Sequence, residues 1–350
     1  MNSRERVHAA LAHEEPDLIP VTLAYENPED ILKRYGKSSA DLPSMRQDVM
    51  RVSVELPAFP SSLADRYFEK SMMTGDYWID PWGVLRCYQD RRRLSYAAVG
   101  PLRRASSAEE ILNFPWPELG DHRAALIAET NALQRSGYAV QGAMSQTIFE
   151  HAWLMCGMEN LLMKMHTDPD FVQCLFTRIA TWKRALARQY VEAGVDILRL
   201  GDDIASQHGM MMAPKMWRGT LKPLLAEIIA DARESKPALP IFYHSDGNIR
   251  DVIDDLIEIG VTILNPVQPE AMDPLEVKKR YGDKLTLWGC VGVQRLFPFG
   301  TPAEMDTTVR DYCRILGKGG GFVIGPTHSI ESDIPWENIV AFYKAVEKYG

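Results

Sequence analysis

The chain has no apolar run near the roughly 18 residues that a membrane-crossing helix needs. Its five cysteines, Cys87, Cys156, Cys174, Cys290 and Cys313, are odd in number and widely spaced, with no Cys-x-x-Cys pair. Nothing suggests a disulfide framework, so a reducing cytosol is expected. The polar start, Met-Asn-Ser-Arg-Glu-Arg-Val-His, carries no apolar signal region, which also points to the cytoplasm. A concentrated basic stripe is missing too. Net charge is −8, and the densest basic run, Arg91-Arg92-Arg93, reads as solvated loop. Neither nucleic acid nor a membrane is an expected partner. Short repeats, low-complexity tracts and Gly/Ser linkers are also lacking. What remains, 350 residues with 46% hydrophobic and 25% charged, is ordinary globular composition.

Short apolar runs alternate with helical patterns. Strands are expected over 18–23, 138–142, 195–200, 240–243, 261–264, 286–289 and 321–324. Near-continuous apolar strands suit a parallel sheet covered on both faces. Between them, Ile249, Val252, Ile253, Leu256 and Ile257 mark a helix closed by Gly260. Val309, Tyr312, Cys313 and Leu316 mark another, and Ile339, Phe342, Tyr343 and Val346 the last, with Pro335 suited to its first turn. Strand–helix alternation with seven strands favours a closed (β/α)8 TIM barrel over a doubly wound sheet. No G-x-G-x-x-G follows the first strand, which weakens the Rossmann alternative further. Residues 28–137 fit the repeat poorly. They read as an N-terminal insertion of helices with a short hairpin around Trp82 to Tyr96, within a single 1–350 domain.

In such a barrel the active site lies at the strand C-termini. Tyr25, Glu26 and Asn27 follow the first strand. Gly201, Asp202, Asp203 and Gln207 follow the strand ending near Leu200, with His208 close by. Next come His244, Ser245, Asp246 and Gly247, then Asn265 and Gln268, then Cys290, and last Thr327 and His328. His244 and Asp246, two apart on extended backbone, face one side. With His328 they make a ligand set for Zn²⁺ that leaves a position open. Asp202, Asp203 and Glu26 are candidate acid–base or orienting carboxylates. Tyr25, Gln207, His208, Asn265 and Gln268 are candidate substrate contacts. Against this stands the plainer reading, in which each His bonds a loop and the Asp pair caps a helix.

Several segments recur in a known order and spacing. They are Ser-Arg-Glu-Arg-Val-His-Ala-Ala-Leu over 3–11 with Asp17-Leu18-Ile19-Pro20-Val21, and Asp80-Pro81-Trp82-Gly83. Gly157-Met158-Glu159-Asn160-Leu161 runs into Thr167-Asp168-Pro169, Gly201-Asp202-Asp203 leads to Pro214, and the stretch from Gly321 to Asn338 completes the set. In these, and over nearly its whole length, the chain resembles the uroporphyrinogen decarboxylase superfamily. The resemblance implies a (β/α)8 barrel and one of two chemistries. The decarboxylase branch carries Met-Arg-Gln-Ala-Gly-Arg directly after the first strand, to hold tetrapyrrole carboxylates. Here that position reads Ala24-Tyr25-Glu26-Asn27, and Met45-Arg46-Gln47 comes about twenty residues later. A histidine after the last strand, as in that branch, is matched by His328.

The other branch comprises cobalamin-linked methyltransferases, which bind zinc through His-x-Cys and a Cys after the last strand. Here His244-Ser245-Asp246 stands for the first and His328 for the second. Both changes favour harder ions, so Fe²⁺ and Mn²⁺ join zinc as candidates. No corrinoid-binding Asp-x-His-x-x-Gly occurs, so any cobalamin would be carried by a partner protein. The expectation is therefore a metal-dependent methyltransferase-like enzyme acting on a small methylated substrate with a corrinoid partner. Decarboxylation of uroporphyrinogen or a smaller acid, and a non-catalytic binder, remain as alternatives. Barrels of this kind often pair, which makes a homodimer a candidate assembly.

Overall fold

A computed structural model describes residues 1–24, 26–42, 45–73, 75–88 and 96–350 of the chain. The first helix, Ser3–Leu11, starts at a capping box in which Asn2 and Glu5 exchange side-chain-to-backbone bonds of 2.9 Å. Strand β1 is Val49–Val52. An antiparallel sheet of β2 (Tyr77–Ile79), β3 (Leu85–Tyr88) and β4 (Tyr96–Val99) follows. The residues joining β3 to β4 include Arg91-Arg92-Arg93 and lie outside the described ones. After these come β5 (Ala139–Ala143), β6 (Ile197–Gly201), a two-residue-stranded hairpin of β7 (Ala205–Ser206) and β8 (Gly209–Met210), β9 (Ile241–His244), β10 (Ile263–Asn265), β11 (Thr286–Val291) and β12 (Phe322–Pro326).

Seven strands form one parallel sheet in the order β1-β5-β6-β9-β10-β11-β12. The segment 20–22 joins its two edges. Thr22 N–H donates to Ile324 (3.0 Å), Ile324 N–H to Pro20 (2.9 Å), and Asp48 N–H to Val21 (2.9 Å). The sheet thus curls into an eight-membered (β/α) barrel, the expected class. One expectation needs correcting. The span 28–137 is not wholly an insertion, because β1 within it is a barrel strand paired to β5. Val-Met-Arg-Val is short and broken by Arg51, so its apolar signal is weak. The remainder of that span does hold helices and the antiparallel sheet. There Asp80 accepts from the backbones of Trp82 and Val84, 3.0 Å each, and from Arg86 Nε at 2.9 Å.

The barrel floor is an apolar ring of Val49, Ala139, Ile197, Phe242, Ile263, Trp288 and Val323, plugged from below by Val7 of the first helix. Strand side chains alternate, so the next inward layer is two residues further along each strand. On β1, β5, β6, β9 and β10 it reads Arg51, Gln141, Arg199, His244 and Asn265. The last four are buried. The Arg199 guanidinium lies over the Phe242 ring, 4.6 Å from its centroid. The interior therefore turns from apolar to polar one layer below the strand C-termini, and the candidate site begins there. Outside, the helices Pro302–Leu316 and Trp336–Tyr349 bury Val309, Cys313 and Leu316, and Ile339, Phe342, Tyr343 and Val346.

Candidate metal centre and its cavity

The strand ends of β6 and β9 are laced together. Gly201 permits this, since a Cβ there would lie 2.6 Å from that of His244. Asp202 N–H donates to the His244 carbonyl (3.0 Å), and Asp246 N–H donates to Asp203 Oδ1 (2.9 Å). Ser245 Oγ accepts from Ile204 N–H at 3.2 Å. From β10, Asn265 Oδ1 lies 2.7 Å from His244 Nδ1, while its Nδ2 donates to the Trp288 carbonyl at 3.2 Å. The Asn amide is thereby oriented with its oxygen toward the imidazole. Nδ1 of His244 carries the proton toward Asn265, and Nε2 holds the ring's lone pair.

That lone pair faces two carboxylates. His244 Nε2 is 3.6 Å from Asp203 Oδ1 and 3.9 Å from Asp246 Oδ1. One ligand atom from each of the three residues falls within 4.8 Å of the others. Two ligands about 2.1 Å from a tetrahedral ion stand about 3.4 Å apart, so small side-chain adjustments suffice. Burial lowers the His244 pKa and raises that of Asp246. Both shifts disfavour an uncompensated charge and suit a site where a cation supplies the compensation. One neutral imidazole and two carboxylates fit Zn²⁺, Fe²⁺ or Mn²⁺.

Beside the triad lies a cavity of about 330 Å³. Asp246, Gln268, Gln294, Thr327, His328, Ser329, Glu331 and Asp333 line it, with no Lys or Arg among the lining residues. Gln268 Oε1 accepts from Gly247 N–H at 3.3 Å, which holds the turn after Asp246.

The expected site residues divide as follows. Asp203, His244 and Asp246 come together, and Asn265 and Gln268 support them. His328 shares the cavity wall with Asp246 but stands outside the compact triad. Asp202 is buried, and its carboxylate accepts from Ile148 N–H (2.9 and 3.0 Å) and Glu150 N–H (3.0 Å). It caps the helix Phe149–Cys156 across space. Glu26 pairs with Arg34 and accepts from Ile330 N–H at 2.9 Å, so it too stands outside the triad. Gln207 and His208 are exposed in the β7–β8 turn, where the Gln207 amide meets Gln294. Tyr25 lies outside the described residues.

Besides Gln294, Ser329, Glu331 and Asp333 of the cavity wall and Arg199 below it, Glu150, Lys183 and Tyr243 escaped the sequence reading. Glu150 sits in the first turn of the helix after β5. Burial, then Asp203 and Asp202, push its pKa up to about 8. Lys183 is buried in the long helix Pro169–Glu192, 5.2 and 5.6 Å from the Trp82 and Trp182 ring centroids. Burial pulls it down to about 8. Tyr243 is fully buried, and burial, then Asp202 and Asp203, hold its hydroxyl well above the usual phenol range. Glu150 was accessible to the strand-end rule, since it follows the strand near 138–142. Lys183 was not, because a lysine on a helix has no signal for facing inward.

Fold and site together define a (β/α) barrel with an imidazole and two carboxylates gathered at the C-terminal ends of its strands. The family model described as uroporphyrinogen decarboxylase (URO-D) matches residues 132–349, more than half of the chain. The chain belongs to this family. It is 23% identical over 276 residues to a uroporphyrinogen decarboxylase of Coxiella burnetii, covering 76% of this chain and 68% of that protein. It is 28% identical over 166 residues to the methylcobamide:CoM methyltransferase MtaA of Methanosarcina barkeri, covering 47% and 45% respectively. A solved methyltransferase from Methanosarcina mazei shares the fold at a TM-score of 0.67 and 16% identity, covering 100% of this chain and 99% of that one. Family relatives are enzymes of decarboxylase or methyltransferase type. Among the described residues, no helix is long and apolar enough to cross a membrane.

Proposed function

We propose that this chain is a metal-dependent methyltransferase-like enzyme that acts on a small methylated substrate with a corrinoid carried by a partner protein. The observation that carries this reading is the Asp203–His244–Asp246 triad opening onto a cavity lined by carboxylates and amides. Asp203, His244 and Asp246 would hold the ion, with zinc the first candidate and His328 as a further contact. When bound, the ion supplies Lewis acidity to a substrate heteroatom. Asn265 holds the His244 tautomer, and Gln268 and Thr327 offer hydrogen bonds to the substrate. Glu150, beside Asp203, is placed to hold or move a proton.

The cavity also argues against a polycarboxylate. A porphyrinogen bearing several carboxylates would meet Asp246, Glu331 and Asp333 on the cavity wall, and like charges repel. Decarboxylation stays as the second reading because the Coxiella relative is matched over a larger share of the chain than the methyltransferase. The deciding experiment offers zinc-loaded protein both cob(I)alamin with a panel of methylated thiols, amines and alcohols, and uroporphyrinogen. Gain of the methyl–cobalt absorbance without uroporphyrinogen turnover supports the proposal. Carboxyl loss from uroporphyrinogen overturns it.

A further inference from the structure

The loop after β12 carries most of one wall of the cavity, including Thr327, His328, Glu331 and Asp333. Within the loop itself the backbone makes little regular structure, chiefly one turn bond from Ile334 N–H to Glu331 at 3.2 Å. Two buried isoleucines, Ile330 and Ile334, anchor it below. At its start Thr327 N–H donates to the Val291 carbonyl (2.9 Å) and Thr327 Oγ1 accepts from Val293 N–H (3.2 Å), and beyond His328 its polar fastening comes from the other end of the chain. Ile330 N–H donates to Glu26 Oε2 at 2.9 Å, and the Ile330 carbonyl accepts from Arg34 Nη1. Arg34 in turn pairs with Glu26, closing a three-membered ring of contacts. Tyr35 OH lies 2.7 Å from the Glu331 carbonyl and 2.8 Å from that of Ile334, sharing one proton between them. The Tyr35 ring rests on Trp336, with centroids 5.6 Å apart. The four bonds from Glu26, Arg34 and Tyr35 to the loop each span about three hundred residues of sequence, and all converge on 330–334.

We propose that Glu26, Arg34 and Tyr35 are positioning residues that clasp the 327–335 loop and so set His328 at the cavity wall it shares with Asp246. A loop without its own ladder explores many conformations unless its backbone groups are bonded elsewhere. The clasp supplies those bonds from a helix, Pro28–Arg34, that is already fixed to the barrel through buried Ile31 and Leu32. His328 then reaches the triad from one direction rather than many. The part of this inference that gives His328 a metal-directed role rests on the proposed metal centre. The clasp itself does not.

Two variants test it. Tyr35→Phe keeps the ring on Trp336 and removes only the hydroxyl. Glu26→Gln keeps the shape and removes the charge that pairs with Arg34. Hydrogen exchange of the 326–335 segment is measured first, without metal. Each variant is expected to speed it about tenfold or more, with exchange in the barrel strands unchanged. Zn²⁺ affinity is then measured in a double-mutant cycle with His328→Ala. Tyr35→Phe is expected to weaken binding about tenfold in the parent and less than about twofold when His328 is absent. Unchanged exchange in both variants overturns the clasp. Equal weakening with and without His328 overturns its action through that residue. Should the parent bind no Zn²⁺, the metal-centre reading fails, and the exchange result still decides the clasp.

Discussion

Asn265 Oδ1 stands 2.7 Å from His244 Nδ1, while the Asn265 amide nitrogen is committed to the Trp288 carbonyl. This relay from β11 through β10 to β9 leaves the imidazole one useful orientation. Nε2 points at Asp203 and Asp246. Partners of this kind fix tautomer and ring direction in metal sites, and their loss typically weakens binding 10- to 100-fold. Asn265→Ala is therefore expected to retain the fold and the one-to-one stoichiometry while lowering Zn²⁺ affinity by about that factor. Calorimetric titration checks it, and unchanged affinity would contradict the relay.

Asp202 and Asp203 are neighbours with different work. The Asp202 carboxylate serves the amides of Ile148 and Glu150 in a buried setting. Asp202→Ala leaves those donors unsatisfied, and about 3 kcal/mol of stability is expected to be lost. Urea unfolding measures this. Zn²⁺ stoichiometry should survive in the folded variant. Loss of the metal with little loss of stability would instead place Asp202 in the centre.

Glu150 supplies a pH signature. Its folded pKa is pushed up to about 8 by burial and by the Asp203 and Asp202 charges. The unfolded carboxyl releases its proton near about 4.3. Between those values the folded state holds a proton that the unfolded state has lost. Stability from this group therefore falls as pH rises through that window. Glu150→Gln does not titrate, so other groups cancel in the comparison. The difference in Tm, variant minus parent, is expected to grow from pH 5 to pH 8 and then level off. A difference that is flat or shrinks contradicts the assignment.

Gly201 is the close-approach point between β6 and β9. A methyl group there meets the His244 Cβ at 2.6 Å and its carbonyl oxygen at 2.8 Å. Neither belongs to a flexible side-chain end, so the strand must move. Gly201→Ala is expected to destabilise the fold by about 2 kcal/mol and to weaken Zn²⁺ binding together with it. Thermal melts with and without metal read both effects. A variant that melts and binds like the parent would contradict the packing.

The barrel was legible because parallel strands buried on both faces are written as short apolar runs. Val49–Val52 escaped for the same physical reason, since Arg51 points into the polar inner layer and breaks the run. His244 and Asp246 were legible from their two-residue spacing at a strand end. Which aspartate of the 202–203 pair faces them was not, because that depends on where the Phe149–Cys156 helix presents its amides. Glu26 read as a candidate acid–base or orienting carboxylate after the first strand. Its partners Arg34 and Ile330 become visible only once the two ends of the chain meet. Asn265 was noted as a substrate contact, while its bond to His244 depends on strand neighbours that a linear reading does not give.

The most direct measurement is metal content of untagged protein by mass spectrometry, set beside Zn²⁺ titration of Asp203→Asn, His244→Ala and Asp246→Asn. One tightly held ion per chain in the parent, lost or weakened at least a hundredfold in each variant, is the expected result. Sub-stoichiometric metal in the parent, or binding that His244→Ala leaves untouched, would contradict the metal centre.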